Sequence, residues 1–212
     1  MILLSVIIPA FNEEKHIERC LRSISNQTFP RSNYEVIVVD DGSTDNTINV
    51  INRYFPEVVL QKNTSNQGLP NSLNIGINLS SSKYIVRLDA DDFVSEQYLE
   101  LLYLAISLNK KYKAVFCDYY LVDEDEIIIS QEDSSINPIG CGSIISRDAL
   151  VEIGLYNEEF KYLEEKELII RFKKNFKILN LPLPLYRYRR HEGNITNDAT
   201  EIKKYESKLK NI

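Results

Sequence analysis

The 212-residue chain is long enough for one sizeable hydrophobic core, or two small ones. Its 43% hydrophobic and 26% charged content is that of an ordinary globular protein, which excludes disorder. A formal net charge of −6, with no Lys/Arg stripe, excludes nucleic acid as a partner; an anionic ligand would need a local counter-charge, most simply a divalent metal.

Residues 3–9 read as a buried parallel strand. The apolar run is far below the ~20 residues that span a bilayer, and it lacks the basic start of a signal peptide. No other segment is long enough to cross a membrane. Asn12 is a candidate N-cap for a helix over 14–26 that aligns Ile17, Cys20, Leu21 and Ile24 on one face. Residues 35–40 form a second buried strand, and Asp41-Gly-Ser-Thr then turns into a helix with Ile48, Ile51 and Phe55 on its apolar face. A short strand over 58–61, a helix over 68–79 and a strand over 84–88 follow. Strands alternating with helices of this length predict a parallel sheet with right-handed crossovers.

The second half is less regular. The pattern predicts a helix over 95–109, a strand pair over 114–122 and 127–131, and an acidic, Pro-bounded surface excursion through much of 123–138. Ser143–Ser146 reads as a strand, 148–153 as a short helix, 164–174 as a helix, 185–190 as a strand and 198–210 as a polar terminal helix. With no repeat or linker, residues 1–212 read as one α/β domain. Cys20, Cys117 and Cys141 are odd in number and widely spaced, so they read as buried apolar residues in a reducing cytoplasm.

Ligands of open parallel sheets sit at the carboxyl ends of the strands. Polar clusters fall at those ends: Asn12-Glu13, Asp40-Asp41 and Asp89-Ala-Asp91-Asp92. Carboxylates at Asp89 and Asp91 are hard oxygen ligands suited to Mg²⁺ or Mn²⁺, and three aspartates exceed what a cap for the next helix, here Asp92, requires. A calcium hand is excluded by Phe93 and Val94 at its fifth and sixth positions. The carboxylates of Asp40-Asp41 could accept hydrogen bonds from a base or ribose. The first turn, Pro9-Ala-Phe-Asn-Glu13, has no glycine, which argues against NAD and FAD.

Four motifs in order, Ser5-Val-Ile-Ile-Pro-Ala-Phe-Asn-Glu13, Val38-Val-Asp-Asp-Gly-Ser-Thr-Asp45, Asn66-Gln-Gly68 with Asn74-Ile-Gly76, and Leu88-Asp-Ala-Asp-Asp92, resemble glycosyltransferase family 2, the GT-A nucleotide-sugar transferases. The resemblance continues more weakly through Gly154-Leu-Tyr-Asn-Glu158 and Glu164-Glu-Lys-Glu-Leu168 to Tyr186-Arg-Tyr-Arg-Arg-His191. It implies a Rossmann-like, mainly parallel sheet flanked by helices, with residues 1–95 binding nucleotide and an irregular 96–212 binding acceptor. Pro9, Ala10, Asn12 and Glu13 would lie near the nucleoside, Asp41 would bind the base, usually uracil, and Asn66 and Gly68 would border the nucleotide. Asp89 would contact ribose or metal, and Asp91 would hold Mn²⁺ or Mg²⁺ on the diphosphate. Glu165 matches the family's base position, normally an aspartate, and would deprotonate an acceptor hydroxyl in a single inverting displacement. From the residues alone, Glu164-Glu165-Lys166-Glu167 reads as the charged first turn of a solvated helix.

Leu73 stands where many relatives carry an arginine that reaches the nucleotide. Arg87 could compensate, or it could simply point away from the core. His191 could close over the diphosphate or be a surface histidine after a strand; His16 reads as solvated. The leading expectation is an inverting transferase that takes a nucleotide-diphosphate sugar, from UDP first, to a glycan or lipid-linked acceptor in bacterial surface polysaccharide synthesis. A sugar-nucleotide-binding protein with weakened or lost catalysis is the alternative; a nucleotidyltransferase would need a Gly- and Lys/Arg-rich phosphate loop that the first turn lacks. The tail Lys203-Lys-Tyr-Glu-Ser-Lys-Leu-Lys210 could touch an anionic membrane, but interrupting acidic residues favour a solvated helix.

Overall fold

The computed structural model describes residues 2–210. Strand β1 (Leu4–Ala10) is buried along its whole length, because helices cover both faces of the sheet at this point. Its period-two alternation divides it between two cores. Leu4, Val6 and Ile8 enter one core, and Ile7 enters the other. Strand β2 (Tyr34–Asp40) repeats the division with Val36 and Val38 against Ile37 and Val39.

Helices α1 (Ile17–Ser25), α2 (Thr47–Tyr54) and α4 (Tyr98–Leu108) supply the first core through residues such as Leu21, Ile51 and Leu102. Helices α3 (Leu69–Leu79), α5 (Arg147–Glu152) and α6 (Glu164–Asn175) supply the second through Leu73, Leu150 and Phe172. The three cysteines are free and buried.

Strands β3 (Val59–Lys62), β2, β1 and β4 (Tyr84–Arg87) lie side by side and parallel. Beyond β4 the sheet becomes mixed. Strand β8 (Ser143–Ser146) is antiparallel to both β4 and β6 (Tyr112–Val122). Strand β9 (Lys177–Arg189) runs parallel to β6 and pairs antiparallel with β5 (Phe93–Val94). Strand β7 (Ile128–Glu132) pairs with the end of β6.

The differences from the sequence reading have local causes. Asn12 does not cap α1. It takes a left-handed φ of 57° and its Oδ1 accepts from the Thr44 N–H at 2.8 Å, so it ties the turn after β1 to the turn after β2. The helix starts at Ile17, with His16 in the cap position. Strand β9 starts eight residues before the predicted 185–190, because Pro182 and Pro184 hide it. The ladder to β6 passes from Cys117–Leu181 to Asp118–Pro184, so a bulge absorbs the prolines. Strand β5 has only two residues and carries no periodic signal. Within the 123–138 excursion, Ile127, Ile128, Ile129 and Ile136 are exposed, but Ser134 is buried and donates to Asp118 Oδ1.

Helix α7 (Ala199–Leu209) is capped by Asp198, which accepts from the N–H groups of Thr200 and Glu201. Its Tyr205 packs with Phe160 and Leu163 in a third, small cluster, and so brings the C-terminal segment to the strand ends. No helix among the described residues is long and apolar enough to cross a membrane.

Candidate active site

Because β1, β2 and β4 are parallel, their carboxyl ends share one edge of the sheet. A cavity of about 430 Å³ opens there. Pro9, Ala10 and Glu13 line it from the first strand end, Asp41, Asn66 and Gly68 from the second and its neighbouring loop, and Asp89 and Asp91 from the fourth. Glu165 lines it from the start of α6. Asn12 and His191 stand behind this lining. Asn12 braces the Ser43–Thr44 turn, with its own N–H donating to Ser43 Oγ, and His191 is bonded to Asp91.

Asp41 is only 4% exposed, and its carboxylate organises a loop. Oδ2 accepts from the Gly68 N–H at 2.8 Å and Oδ1 from the Gln67 N–H at 3.0 Å and the Asn63 amide at 2.8 Å. Gly42, at φ 81°, lets this loop approach: a Cβ there would lie 2.8 Å from the Ser65 backbone. One carboxylate thus fixes the whole 63–68 segment that borders the cavity.

The aspartates after β4 have three different fates. Asp89 is gripped by the Arg87 guanidinium, with Nε to Oδ1 at 2.7 Å and Nη2 to Oδ2 at 3.0 Å. Asp92 turns inward and accepts from the Tyr186 hydroxyl at 2.6 Å and the Arg189 N–H at 2.7 Å. Burial, reinforced by the Asp91 and Asp89 charges, holds its carboxyl well above the usual range. It does not cap α4, whose cap position is Gln97. Asp91 faces the cavity, and its Oδ2 accepts from His191 Nε2–H at 3.0 Å and from the Asn194 amide at 3.3 Å. That hydrogen bond, more than any other influence, raises the His191 imidazole above its ordinary pKa.

The donor set decides where a divalent cation fits. Asp91 is the hard oxygen ligand on the cavity wall, and His191 could join it as a ligand only by giving up the Nε2 proton that it donates to Asp91. Asp89 is less suited, since both of its oxygens are engaged by Arg87. Half-buried Asp89 and buried Asp92 and Cys141 also lie close together, but Asp92 is satisfied by Tyr186 and Arg189, and Asp89 by Arg87.

Helix α6 presents Glu164 and Glu165 in its first turn, after Leu163 in a left-handed conformation. Glu164 Oε1 accepts from Arg87 Nη1 at 2.9 Å. Glu165 accepts no hydrogen bond from another side chain among the described residues. Burial first, then the adjacent Glu164 charge, push its carboxyl up to about 7, against a smaller pull from Arg87. A carboxylate that titrates near neutrality on a cavity wall is equipped to take a proton.

Arg87, for which two readings stood open, is 6% exposed and points into the site rather than away from the core. His16, read as solvated, is half-buried: it bonds Glu13 at 2.9 Å, and its ring lies 5.0 Å from that of His191. Each has one local partner, Asp89 for Arg87 and Glu13 for His16, and one from a distant segment that the sequence does not signal, Glu164 and His191. Leu73 is packed in the second core, so no cation reaches the cavity from that position.

A half-parallel sheet with carboxylate clusters at the ends of β1, β2 and β4 is the GT-A class of α/β fold. Residues 5–154 match the family model "Glycosyl transferase family 2", and the chain belongs to that family. It is 30% identical to a glycosyltransferase of Haemophilus influenzae over 93% of this chain and 68% of that protein. In fold it is similar to Staphylococcus aureus TarS in complex with UDP-GlcNAc, with a TM-score of 0.80 at 22% identity, over 93% of this chain and 61% of TarS. It is also similar to the mannosyltransferase PcManGT of Pyrobaculum calidifontis in complex with GDP-Man and Mn²⁺, with a TM-score of 0.74 at 20% identity, over 90% of this chain and 58% of that one. The chain thus spans about three-fifths of these two solved proteins.

Proposed function

We propose that the chain is an inverting glycosyltransferase that moves a sugar from a nucleoside diphosphate, UDP first, to an acceptor hydroxyl with the help of Mn²⁺ or Mg²⁺. The observation that carries this reading is the meeting of Asp41, Asp91 and a near-neutral Glu165 around one cavity. Residues 1–95 supply the nucleotide side. Asp41 and the 63–68 loop it holds border the base, with Pro9, Ala10, Glu13, Asn66 and Gly68 around the nucleoside. Asp89, neutralised by Arg87, can accept from a ribose hydroxyl.

Asp91, with His191 beside it, would hold the cation on the diphosphate. When bound, the cation screens the charge that develops on the leaving group. Lys161 also lines the cavity and has no ion-pair partner among the described residues, so it can add a positive charge for an anionic ligand.

Residues 96–212 supply the acceptor side. Glu165 accepts the proton of the acceptor hydroxyl as that oxygen attacks the anomeric carbon. The attack forms one C–O bond, breaks the bond to the nucleoside diphosphate and inverts the carbon. A pKa of about 7 suits this role and speaks against a decayed base. The S. aureus relative TarS is a poly(ribitol-phosphate) beta-N-acetylglucosaminyltransferase, 28% identical over 165 residues. It supports a setting in bacterial surface polysaccharide synthesis, on the cytoplasmic side, with a glycan or lipid-linked acceptor.

Titration calorimetry with UDP, with and without Mn²⁺, tests the donor site. Manganese-dependent binding by the wild type that disappears in Asp91→Ala is the expected result. Absence of UDP binding under both conditions would refute the uracil assignment and send the test to GDP and dTDP.

A further inference from the structure

Arg87 is the last residue of β4 and a buried charge. Its three donor nitrogens are divided between two carboxylates from distant segments: Nε and Nη2 hold Asp89, and Nη1 holds Glu164. Asp89 belongs to the donor cluster. Glu164 precedes the proposed base on the same turn of α6. The loop at Gly140 passes beside this pair so closely that a Cβ there would overlap both the Arg87 guanidinium and Glu165 Cβ.

Resting on the reading of Glu165 as base, we propose that Arg87 is a positioning residue for transfer: by gripping Asp89 and Glu164 together, it fixes the base helix against the donor cluster. A guanidinium is the side chain for this task. Its planar fork can satisfy one carboxylate bidentately and keep a third N–H for another, which an ammonium cannot do with fixed geometry. The arrangement also explains the glycine at 140, since only a residue without a side chain leaves room for the guanidinium and the base together.

The charges around Glu165 make the proposal separable from a merely structural salt bridge. Glu164 and Lys166 face it from its own helix and Arg87 from β4; Asp89 and Tyr156 in turn face Arg87. Removing Arg87 takes a cation from the base and frees Glu164 to repel it. Removing the Glu164 charge takes away the repulsion and leaves the cation. The two changes break the same ion pair and must act on the base in opposite directions.

The test is the pH profile of kcat for wild type, Arg87→Met, Arg87→Lys, Glu164→Gln and Glu165→Gln, each checked for folding by circular dichroism. Arg87→Met should move the acidic limb up by roughly one pH unit, and Glu164→Gln should move it down by a similar amount. Arg87→Lys should leave the limb close to its wild-type position but lower kcat, because the charge is kept and the fork is lost. If Arg87→Met does not fold, Arg87→Lys and Glu164→Gln carry the comparison. An inactive Glu165→Gln together with limbs that stay put, or that move in the same direction, would overturn the positioning role alone. Full transfer by Glu165→Gln would overturn the base reading, and the proposal with it.

Discussion

Replacing Glu165 with glutamine should stabilise the folded chain while abolishing transfer. The carboxyl rises from its ordinary 4.5 to about 7 on folding. Each pH unit corresponds to ~1.4 kcal/mol, so the ionised group opposes folding by on the order of 3 kcal/mol. The sign follows from proton binding. Below pH 4.5 both states hold the proton and the group is neutral to stability. Between 4.5 and about 7 the folded state holds more of it than the unfolded state, so stability falls as pH rises. Above 7 the full penalty stands. The glutamine variant lacks this term, so urea unfolding should give equal stabilities near pH 4 and a more stable variant at pH 8. The gain should be on the order of 3 kcal/mol, or about two decades in the folding equilibrium. A variant at pH 8 that is no more stable than wild type would refute the claim that burial and Glu164 hold this carboxyl up.

Transfer by the wild type should rise about tenfold per pH unit up to about 7 and level off above it, since only ionised Glu165 can take the acceptor proton; initial rates across pH 5 to 9 check this. Asp41→Ala removes the acceptor for the Gly68 and Gln67 N–H groups. It should cost about 1 to 3 kcal/mol of stability and weaken UDP in calorimetry even without metal, whereas Asp91→Ala should weaken it only when Mn²⁺ is present. Tyr186→Phe removes the 2.6 Å donor to buried Asp92 and should lower stability by about 1 to 3 kcal/mol in urea unfolding.

The donor half was legible because its signals are local. Each strand of β1, β2 and β4 is a short apolar run, and its polar cluster follows at once, so the parallel rule alone brought Glu13, Asp41 and Asp91 to one edge. The acceptor half was less legible because its signals are not local. Pro182 and Pro184 read as strand breakers, yet β6 accommodates them with a bulge. Arg87 stays undecided between a compensating charge and an outward strand residue, because Glu164 lies 77 positions away in the chain. Glu165 shows the limit most clearly. In sequence it is one of three glutamates in an exposed-looking first turn. What distinguishes it is the desolvation and the crowding by Arg87 and Gly140, which appear only when α6 meets β4.

The aspartate cluster after β4 needs the far end of the chain. Three carboxylates within the four residues 89–92 repel one another, and a loop that carries them would splay unless each had its own answer. Arg87 answers Asp89 from β4 itself. Asp92 is answered by Tyr186 and the Arg189 backbone of β9, and the Arg189 side chain also donates to the Asp91 carbonyl at 2.9 Å. Asp91 is answered by His191 and Asn194 just beyond β9. The segment 186–194 therefore sets the direction in which Asp91 and Asp92 point, and holds Asp91 at the cavity beside His191. A truncation before Tyr186 would retain every residue of the four donor motifs and lose the arrangement that makes them a site.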